Sequence, residues 1–455
     1  MGLAALSLTL CTNPTFIEFS RYVGPSAIRP AGFDSDLQWN MEMINAPGAW
    51  AVMGDDSVNG PLAPVLVAVL DTGIAADHDG LSGIVELEHG ANPADGGAPV
   101  NTDPNGHGTH VAGIIAAMQT SPGIGVFGTT QDIARLISVK VFPGSTRTTS
   151  SSILVAGMQE VLSLTEAFVP VRVVNLSLGG GGTDAALYYE IQRLVDVGIT
   201  VVAATGNSNR EGVFFPAWFD NTIAVGATNS TSLRWVQGFD GSNYGVGIDL
   251  MAPGANILSL DVPNTYDYKT GTSMATPHVA GVAALLYAVE PGLNQAAVYS
   301  ILRATARDLG APGWDKYYGH GLVDAQAALE YLINLRRRIP RAPMGQEPGG
   351  GSGGLRINVA ELSGAQLPPP EAEIDAATLI VRFADGTDAS DSLQLQTFAD
   401  AVSDQVGASA VRAVGTDTAV VELLAGQSVI EALQQVAGVT GVQFSQPNYV
   451  YRAVW

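Results

Sequence analysis

Residues 271–286 read GTSMATPHVAGVAALL, a glycine turn that runs directly into a long apolar stretch. This pattern predicts a buried helix with the hydroxyl of Ser273 at its mouth. A serine in that position lies at the positive end of the helix dipole, and its own backbone N–H has no partner within the helix. A hydroxyl and an oxyanion donor are the two groups that acyl transfer needs. The alternative is a simple helix cap, which either Thr272 or Ser273 could provide.

Strand and helix patterns alternate along the chain before and after this stretch. The apolar run at 65–70 predicts a strand buried on both faces, and Asp71 follows at its carboxyl end. Further strands are predicted at 136–142, 171–176, 199–204, 222–227 and 248–251. Helices are predicted at 151–167, 184–197, 294–305 and 323–335. The alternation predicts an α/β fold, with a parallel sheet covered by helices on both faces.

The composition narrows the classes of partner but leaves the compartment open. The chain has 455 residues, 46% of them hydrophobic, and a net charge of −22 from 43 acidic and 21 basic residues. This acidity argues against nucleic acid and anionic membrane surfaces as partners. The single cysteine, Cys11, excludes an internal disulfide, and no apolar run approaches the length of a membrane span. Residues 1–11 form a poor signal peptide, so we expect that either the protein is not exported by that route or its true start lies upstream.

Four polar residues stand at predicted strand ends or helix starts: Asp71, His107, Asn207 and Ser273. Each has an ordinary structural alternative, as a turn residue, a loop residue or a cap. Together they supply a nucleophile, a base, a group that orients the base and an oxyanion donor, in the chain order Asp, His, Ser. Because a chance coincidence of all four contexts is improbable, we prefer the catalytic interpretation.

Three stretches resemble the signatures of the subtilisin-like serine proteases, the subtilases. They read VLDTGI at 69–74, NGHGTHVAG at 105–113 and GTSMATPHVAG at 271–281. The resemblance covers about residues 36–335. It implies a serine endopeptidase that hydrolyses polypeptides through an acyl-enzyme and needs no cofactor for its chemistry.

The resemblance also implies a role for each residue of the constellation. Ser273 would be the nucleophile, His107 the general base and acid, and Asp71 the group that holds the tautomer of His107. The side-chain amide of Asn207 would donate to the oxyanion together with the backbone N–H of Ser273.

A substrate-binding edge and a specificity pocket are implied in the same way. Ser177, Leu178 and Gly179 resemble the edge segment that pairs with an extended substrate backbone. Phe214 falls where the family lines the base of its specificity pocket. If Phe214 points inward, the pocket is shallow; the alternative is that Phe214 belongs to the core.

The chain departs from the family at the usual calcium site. Family members commonly read His-Pro-Asp-Leu after the catalytic aspartate, whereas residues 78–81 read HDGL here. The loop at 118–126 also lacks the accompanying asparagine. We therefore expect no metal at that position, while calcium held by oxygen ligands elsewhere stays open.

The composition changes after residue 338. Proline-rich and glycine-rich runs at 339–374 predict a linker. Strands at 378–383, 410–414, 419–423 and 442–444, with helices near 394–406 and at 428–435, predict a small α+β, ferredoxin-like domain. We thus expect an N-terminal extension (1–35), a catalytic domain (36–338), the linker (339–374) and a C-terminal domain (375–455).

The C-terminal domain resembles the inhibitory propeptide of the same family, mainly at 378–383 and 419–451. The alternative is an unrelated accessory domain of ferredoxin-like fold. The resemblance implies a product-like inhibitor tail, paired with residues 177–179 and formed by Tyr451, Arg452, Ala453, Val454 and Trp455. A permanently occupied binding module or a transpeptidase is the competing functional class. The family implies an extracellular or periplasmic location.

Overall fold

The computed structural model describes two units of the chain. The described residues are 33–54, 62–97, 101–118, 127–338, 364–365, 374–383, 401–402, 406, 408–414, 418–425, 427–437, 439 and 442–453. The first unit runs to Glu330 and also takes in Ile374 and the residues from Tyr449 onward. The second unit holds residues 331–368 and 375–448.

A six-stranded parallel sheet forms the centre of the first unit. The strands of this unit are β1 (Val65–Asp71), β2 (Ala134–Lys140), β3 (Thr148–Ser150), β4 (Val171–Leu176), β5 (Leu178–Gly179), β6 (Thr200–Ala204), β7 (Ile223–Thr228), β8 (Val236–Gln237), β9 (Asp240–Gly241), β10 (Leu250–Pro253), β11 (Ile257–Asp261) and β12 (Thr265–Lys269). The sheet order is β10-β7-β6-β4-β1-β2, and every neighbouring pair is parallel. This confirms the predicted α/β class.

Helices cover this sheet. The helices that begin in the first unit are α1 (Trp39–Met43), α2 (Ala46–Met53), α3 (His107–Ala116), α4 (Ser151–Glu166), α5 (Ala185–Asp196), α6 (Thr272–Val289), α7 (Gln295–Thr305) and α8 (Ala325–Arg338), of which the residues from Tyr331 fall in the second unit. Leu66, Ala68 and Leu70 of β1 share one core cluster with side chains of α4 and α5. The intervening residues of β1 point to the opposite face. Helices α3 and α6 contact β1 and each other.

Helix α6 is buried along its whole length. In the described part of the chain it is the one helix long and apolar enough to cross a membrane. Its burial in the core of the first unit accounts for that composition, because a helix that is apolar on all sides is typical of a domain centre.

The β11–β12 hairpin is the main element that the sequence did not predict. Its strands pair antiparallel, from Ile257 opposite Lys269 to Asp261 opposite Thr265. Strand β12 reads TYDYK and is largely exposed, so it lacks the apolar run used to find the other strands. Elsewhere in the parallel sheet the predicted strand ends were wrong by up to two residues, as for β2 and β10.

The second unit contains an antiparallel sheet and a helix. Its elements are β13 (Gly364–Ala365), β14 (Ile374–Phe383), β15 (Ala410–Ala413), β16 (Thr418–Glu422), α9 (Val429–Val436) and β17 (Val442–Ala453). Strand β16 pairs antiparallel with both β14 and β15. Strand β17 is much longer than predicted, and its residues from Tyr449 belong to the first unit. Most of the helix predicted near 394–406 lies outside the described residues.

Candidate active site

Asp71 and His107 meet where β1 ends and α3 begins. His107 Nδ1 lies 2.7 Å from Asp71 Oδ1, and both side chains are wholly buried. A carboxylate can only accept, so Nδ1 carries the proton and the lone pair of the ring resides on Nε2. Asp71 Oδ1 also accepts the N–H of Thr72 at 2.7 Å.

Asp103, which the sequence analysis missed, fixes the turn that leads to His107. Its Oδ1 accepts from Thr72 Oγ1 at 2.8 Å and from two backbone N–H groups of the following turn. Its Oδ2 accepts from the N–H and the hydroxyl of Thr109 at 2.9 and 2.8 Å. The carboxylate therefore ties the end of β1 to the first turn of α3. A carboxylate four residues before His107 was the only signal in the sequence.

Gly108 allows α3 to approach β1 this closely. A Cβ atom at Gly108 would lie 2.1 Å from the carbonyl oxygen of Gly73 and 3.1 Å from Asp71 Cβ. Any side chain would push the helix away from the strand end. Gly108 is therefore needed to keep α3 close enough to β1 for His107 to contact Asp71.

Ser273 is linked to Ser177, the first residue of the predicted substrate edge. Ser273 lies in the first turn of α6 and is wholly buried. Its Oγ donates to the carbonyl oxygen of Ser177 at 2.8 Å, and Ser177 Oγ donates to the carbonyl oxygen of Ser273, also at 2.8 Å. The two segments are therefore held together by a reciprocal pair of hydrogen bonds.

Asn207 is held beside Ser273 through the intervening residue Thr272. Its Oδ1 accepts from the N–H of Thr272 at 2.9 Å and from Thr272 Oγ1 at 2.8 Å. Two donors to one atom identify it as the oxygen of the amide. In the described part of the chain, the buried Nδ2 has no hydrogen-bond partner. A buried donor without a partner costs about 1–3 kcal/mol, so the arrangement suits a group that binds there during the reaction.

The structure places Phe214 between the predicted substrate edge and the loop of Asn207. A Cβ atom at Gly206 would lie 2.6 Å from Phe214 Cδ2, and one at Gly179 would lie 3.0 Å from Phe214 Cβ. The guanidinium carbon of Arg210 stands 5.3 Å from the ring centroid. The ring is half-buried, and it is the neighbouring Phe215 that packs against the core cluster.

The end of the chain lies as a strand in the first unit. Val450, Tyr451 and Arg452 pair antiparallel with β3. Arg452 and Ala453 also pair antiparallel with Gly179 and Leu178 of β5. The sequence did not predict the pairing with β3, because a strand of three polar residues shows no hydrophobic periodicity. Val454 and Trp455 lie outside the described residues.

Two further histidines are buried and hydrogen-bonded to groups outside the Asp71–His107 pair. His110 Nε2 lies 3.1 Å from the carbonyl oxygens of Ile257 and Asp267, and burial lowers the pKa of His110 well below its usual value. His278 Nδ1 donates to the carbonyl of Met274 at 2.8 Å, and its Nε2 accepts from Asn40 at 2.9 Å. Burial lowers the pKa of His278 to about 4.

In the part of the chain that the structure describes, the residues near the usual calcium position show no cluster of acidic ligands. The carboxylate of Asp79 accepts from Asn264 Nδ2 at 3.1 Å and is exposed. In the described ranges no three His, Cys, Asp or Glu side chains cluster as metal ligands would. The loop at 119–126, which would supply the other half of that site, is outside those ranges.

Comparison with known proteins gives the family. Residues 63–321 match the family described as Peptidase S8, the subtilase family. The chain belongs to the subtilases. It is 39% identical over 292 residues to Subtilisin BL from Lederbergia lenta, covering 64% of this chain and 98% of that protein. It is 38% identical over 292 residues to the Alkaline protease of Alkalihalobacillus alcalophilus, covering 64% of this chain and 70% of the relative.

A third relative, Subtilisin DY from Bacillus licheniformis, is 39% identical over 272 residues, which are 59% of this chain and 92% of the relative. The subtilase is therefore a serine endopeptidase that acts on polypeptides, and its family needs no cofactor for catalysis.

Proposed function

We propose that this subtilase hydrolyses peptide bonds with Ser273 as the nucleophile, His107 as the general base and acid, and Asp71 as the group that orients His107. The observation that carries the proposal is the fully buried 2.7 Å contact between Asp71 and His107 at the end of β1. It holds the proton on Nδ1 and leaves Nε2 to act as the base.

The reaction then follows in two halves. Ser273 Oγ attacks the carbonyl carbon of the scissile bond while its proton passes to His107 Nε2, so its hydrogen bond to the Ser177 carbonyl breaks. The Asp71 carboxylate stabilises the imidazolium that forms. His107 next gives this proton to the leaving amine as the acyl-enzyme forms. Water then attacks the carbonyl carbon of the acyl-enzyme and gives its proton to His107. His107 returns this proton to Ser273 Oγ as the bond between the serine and the acyl group breaks.

The oxyanion of each tetrahedral intermediate is stabilised by two donors. One is the N–H of Ser273, which belongs to the first turn of α6 and has no helical acceptor. The other is Asn207 Nδ2, whose lack of a partner in the described residues supports this role. Donors fixed in advance around developing charge make a large contribution to catalysis.

The direct test of this mechanism is Ser273→Ala in the full chain. We expect kcat to fall by several orders of magnitude, leaving only the rate from binding and the oxyanion donors. The matched control is Ser163→Ala, an exposed serine on α4 that should leave kcat unchanged. Near-normal peptidase activity in the Ser273 variant would refute the mechanism.

We further propose that the C-terminal tail inhibits the enzyme in cis. Support comes from the antiparallel pairing of Arg452 and Ala453 with β5, the edge to which a substrate backbone would pair. A substrate and the tail would then exclude each other. Strand β3 pairs with the other side of the tail, so the tail is held between two edges.

The division into an extension (1–35), a catalytic domain (36–338), a linker (339–374) and an inhibitor-like domain (375–455) completes the proposal. The change in composition after residue 338 and the antiparallel sheet of the second unit support it. Family membership supports action outside the cytoplasm, which cell fractionation with an activity assay would test.

A further inference from the structure

The side chain of Tyr451 ends at a buried carboxylate in the first unit. Its hydroxyl donates to Asp184 Oδ2 at 3.0 Å, and Ser151 Oγ donates to the same oxygen. Asp184 and Ser151 are wholly buried, and Tyr451 is 1% exposed. The pocket formed by Ser151 and Asp184, here called the Ser–Asp pocket, therefore recognises a hydroxyl at the tip of an aromatic ring.

Both residues of the Ser–Asp pocket are fixed by contacts with the backbone. Asp184 Oδ1 caps α5 by accepting the N–H of Leu187 at 2.9 Å. Ser151 Oγ accepts the N–H of Tyr449 at 3.0 Å. The carboxylate therefore cannot turn away from the tip of the ring without giving up the helix cap. A buried carboxylate is stabilised by its hydrogen-bond donors. A ring without a hydroxyl would leave Asp184 with one donor fewer, which is unfavourable.

The wall of the pocket is apolar. Tyr451 belongs to the same core cluster as Leu154, Leu178 and Leu187. This surface favours any large aromatic side chain, whereas the carboxylate at the end distinguishes tyrosine from phenylalanine. Burial and the charge of Asp184 raise the pKa of Tyr451 well above its usual value, so the hydroxyl remains a donor.

The register connects this pocket to the substrate edge. Tyr451 lies two residues before Ala453, which pairs with Leu178 of β5. Alternate residues of a strand point to the same side, and Tyr449, Tyr451 and Ala453 are all buried while Arg452 is exposed. A substrate backbone paired in the same register would place a side chain into the Ser–Asp pocket.

We propose that the Ser–Asp pocket is a substrate subsite that selects tyrosine, and that Tyr451 is its intramolecular occupant. The inference rests on the proposed function, because it takes the tail to occupy the path of the substrate. The favoured substrates are polypeptides with tyrosine two residues before the residue that takes the place of Ala453. A hydrogen bond to a charged acceptor gives tyrosine an advantage of about 10- to 100-fold over phenylalanine.

The tail itself provides a matched pair of variants. Tyr451→Phe removes the hydroxyl bound to Asp184. Tyr449→Phe removes a hydroxyl that is also buried but has no hydrogen-bond partner in the described chain. In the full chain we expect Tyr451→Phe to raise the rate on a tyrosine-free peptide about tenfold or more, and Tyr449→Phe to leave it unchanged. Equal rates for the two variants, in an enzyme whose rate does rise when residues 449–455 are removed, would overturn the proposal.

Paired peptide substrates test the subsite directly. Each pair differs only in tyrosine or phenylalanine at one position before the cleaved bond. We expect kcat/KM to favour tyrosine about 10- to 100-fold at a single position, and Asp184→Asn, which keeps the oxygen that caps α5, to bring the ratio near one. No preference at any position, or a ratio unchanged in a folded Asp184→Asn variant, would overturn the proposal.

These experiments separate the subsite from the proposed function. The tail competes equally with both peptides of a pair, so their ratio does not depend on inhibition in cis. If the tail did not inhibit, removing residues 449–455 would leave the rate unchanged, whereas the peptide ratio would still report on the pocket.

Discussion

At the scale of single residues, Asn207 combines two roles that one substitution would remove together. Its Oδ1 receives two hydrogen bonds from Thr272, and its Nδ2 is the proposed oxyanion donor. A loss of activity in an Asn207 variant could therefore reflect either a lost donor or a displaced helix start. Thr272 offers a way to separate them, since its hydroxyl donates to Asn207 Oδ1 and accepts the N–H of Gly206, and so positions this loop without being an oxyanion donor.

We predict that Asn207→Leu lowers kcat about 10²- to 10³-fold with a small change in KM, the loss known for an oxyanion-hole donor in subtilisin. Thr272→Val removes the hydroxyl that binds Asn207 but keeps the amide donor, so it should cost far less. Steady-state kinetics on one peptide substrate would compare them. Equal losses in the two variants would mean that Asn207 acts only by holding Thr272.

Phe214 is the second residue with a direct consequence for activity. Because its ring lies against Gly179 and Gly206, we predict a shallow pocket and a preference for small side chains before the scissile bond. Phe214→Gly should admit aromatic side chains. The control is Phe239→Gly, since Phe239 is 99% exposed. Profiling with a peptide library would contradict this account if the unmutated enzyme already preferred aromatic residues.

The sequence could indicate Asp71, His107, Asn207 and Ser273 because each stands at the boundary of a recognisable element. It could not indicate Asp103. The groups that donate to Asp103 are spread between Thr72 and Thr109, and only the folded chain brings them to one carboxylate.

At the scale of elements, two buried groups make the free energy of unfolding depend on pH in opposite directions. They are His278 in α6 and Asp249, the residue before β10. His278 in α6 has its pKa lowered by burial to about 4, so between pH 6.5 and 4 the unfolded chain binds more protons there. Its contribution to stability is complete above pH 6.5 and is lost as pH falls toward 4, by about 3 kcal/mol. Burial raises the pKa of Asp249 to about 6, so the folded chain binds more protons between about 4 and 6. That contribution falls as pH rises through 6.

We therefore predict that each single substitution changes how steeply the free energy of unfolding depends on pH, because the two groups act in opposite directions in the parent. His278→Gln should flatten the fall in unfolding free energy between pH 6.5 and 4, and Asp249→Asn should steepen it. Urea unfolding at pH 4, 5 and 7 measures this, with Ser273→Ala as the parent to prevent self-digestion. A His278→Gln variant with the slope of its parent would contradict the assignment.

The elements that the sequence predicted best were those buried on all sides. Apolar runs in the sequence predict both the strand at 65–70 and the helix of Ser273, because both faces of the sheet are covered. No such run predicts the β11–β12 hairpin, because β12 faces solvent and its pattern is polar. Its place is set by the long-range contact of α3 with β11.

At the scale of the whole molecule, the end of the chain belongs to the first unit and the residues before it to the second. Tyr449, Tyr451 and Ala453 are part of the core cluster of the first unit. The sequence predicted an inhibitor-like tail from resemblance alone. It could not predict the register against β3 and β5, since register depends on partners about 270–300 residues away in the chain.

We predict that deletion of residues 449–455 raises activity on a peptide substrate, because it clears the edge of β5. A milder variant is Ala453→Pro, which removes the N–H that donates to the carbonyl of Arg147 at 3.1 Å and should release the tail in part. Circular dichroism would check that both variants fold. A folded deletion variant with unchanged activity would leave the C-terminal segment as an accessory domain.

The most direct test of the account is labelling with a serine-directed fluorophosphonate, read by mass spectrometry of the intact chain and of its peptides. The full chain and the variant without residues 449–455 are compared under the same conditions. The account predicts a single adduct, on Ser273, that forms faster in the shortened chain than in the full one. No adduct on Ser273 in either protein would contradict it.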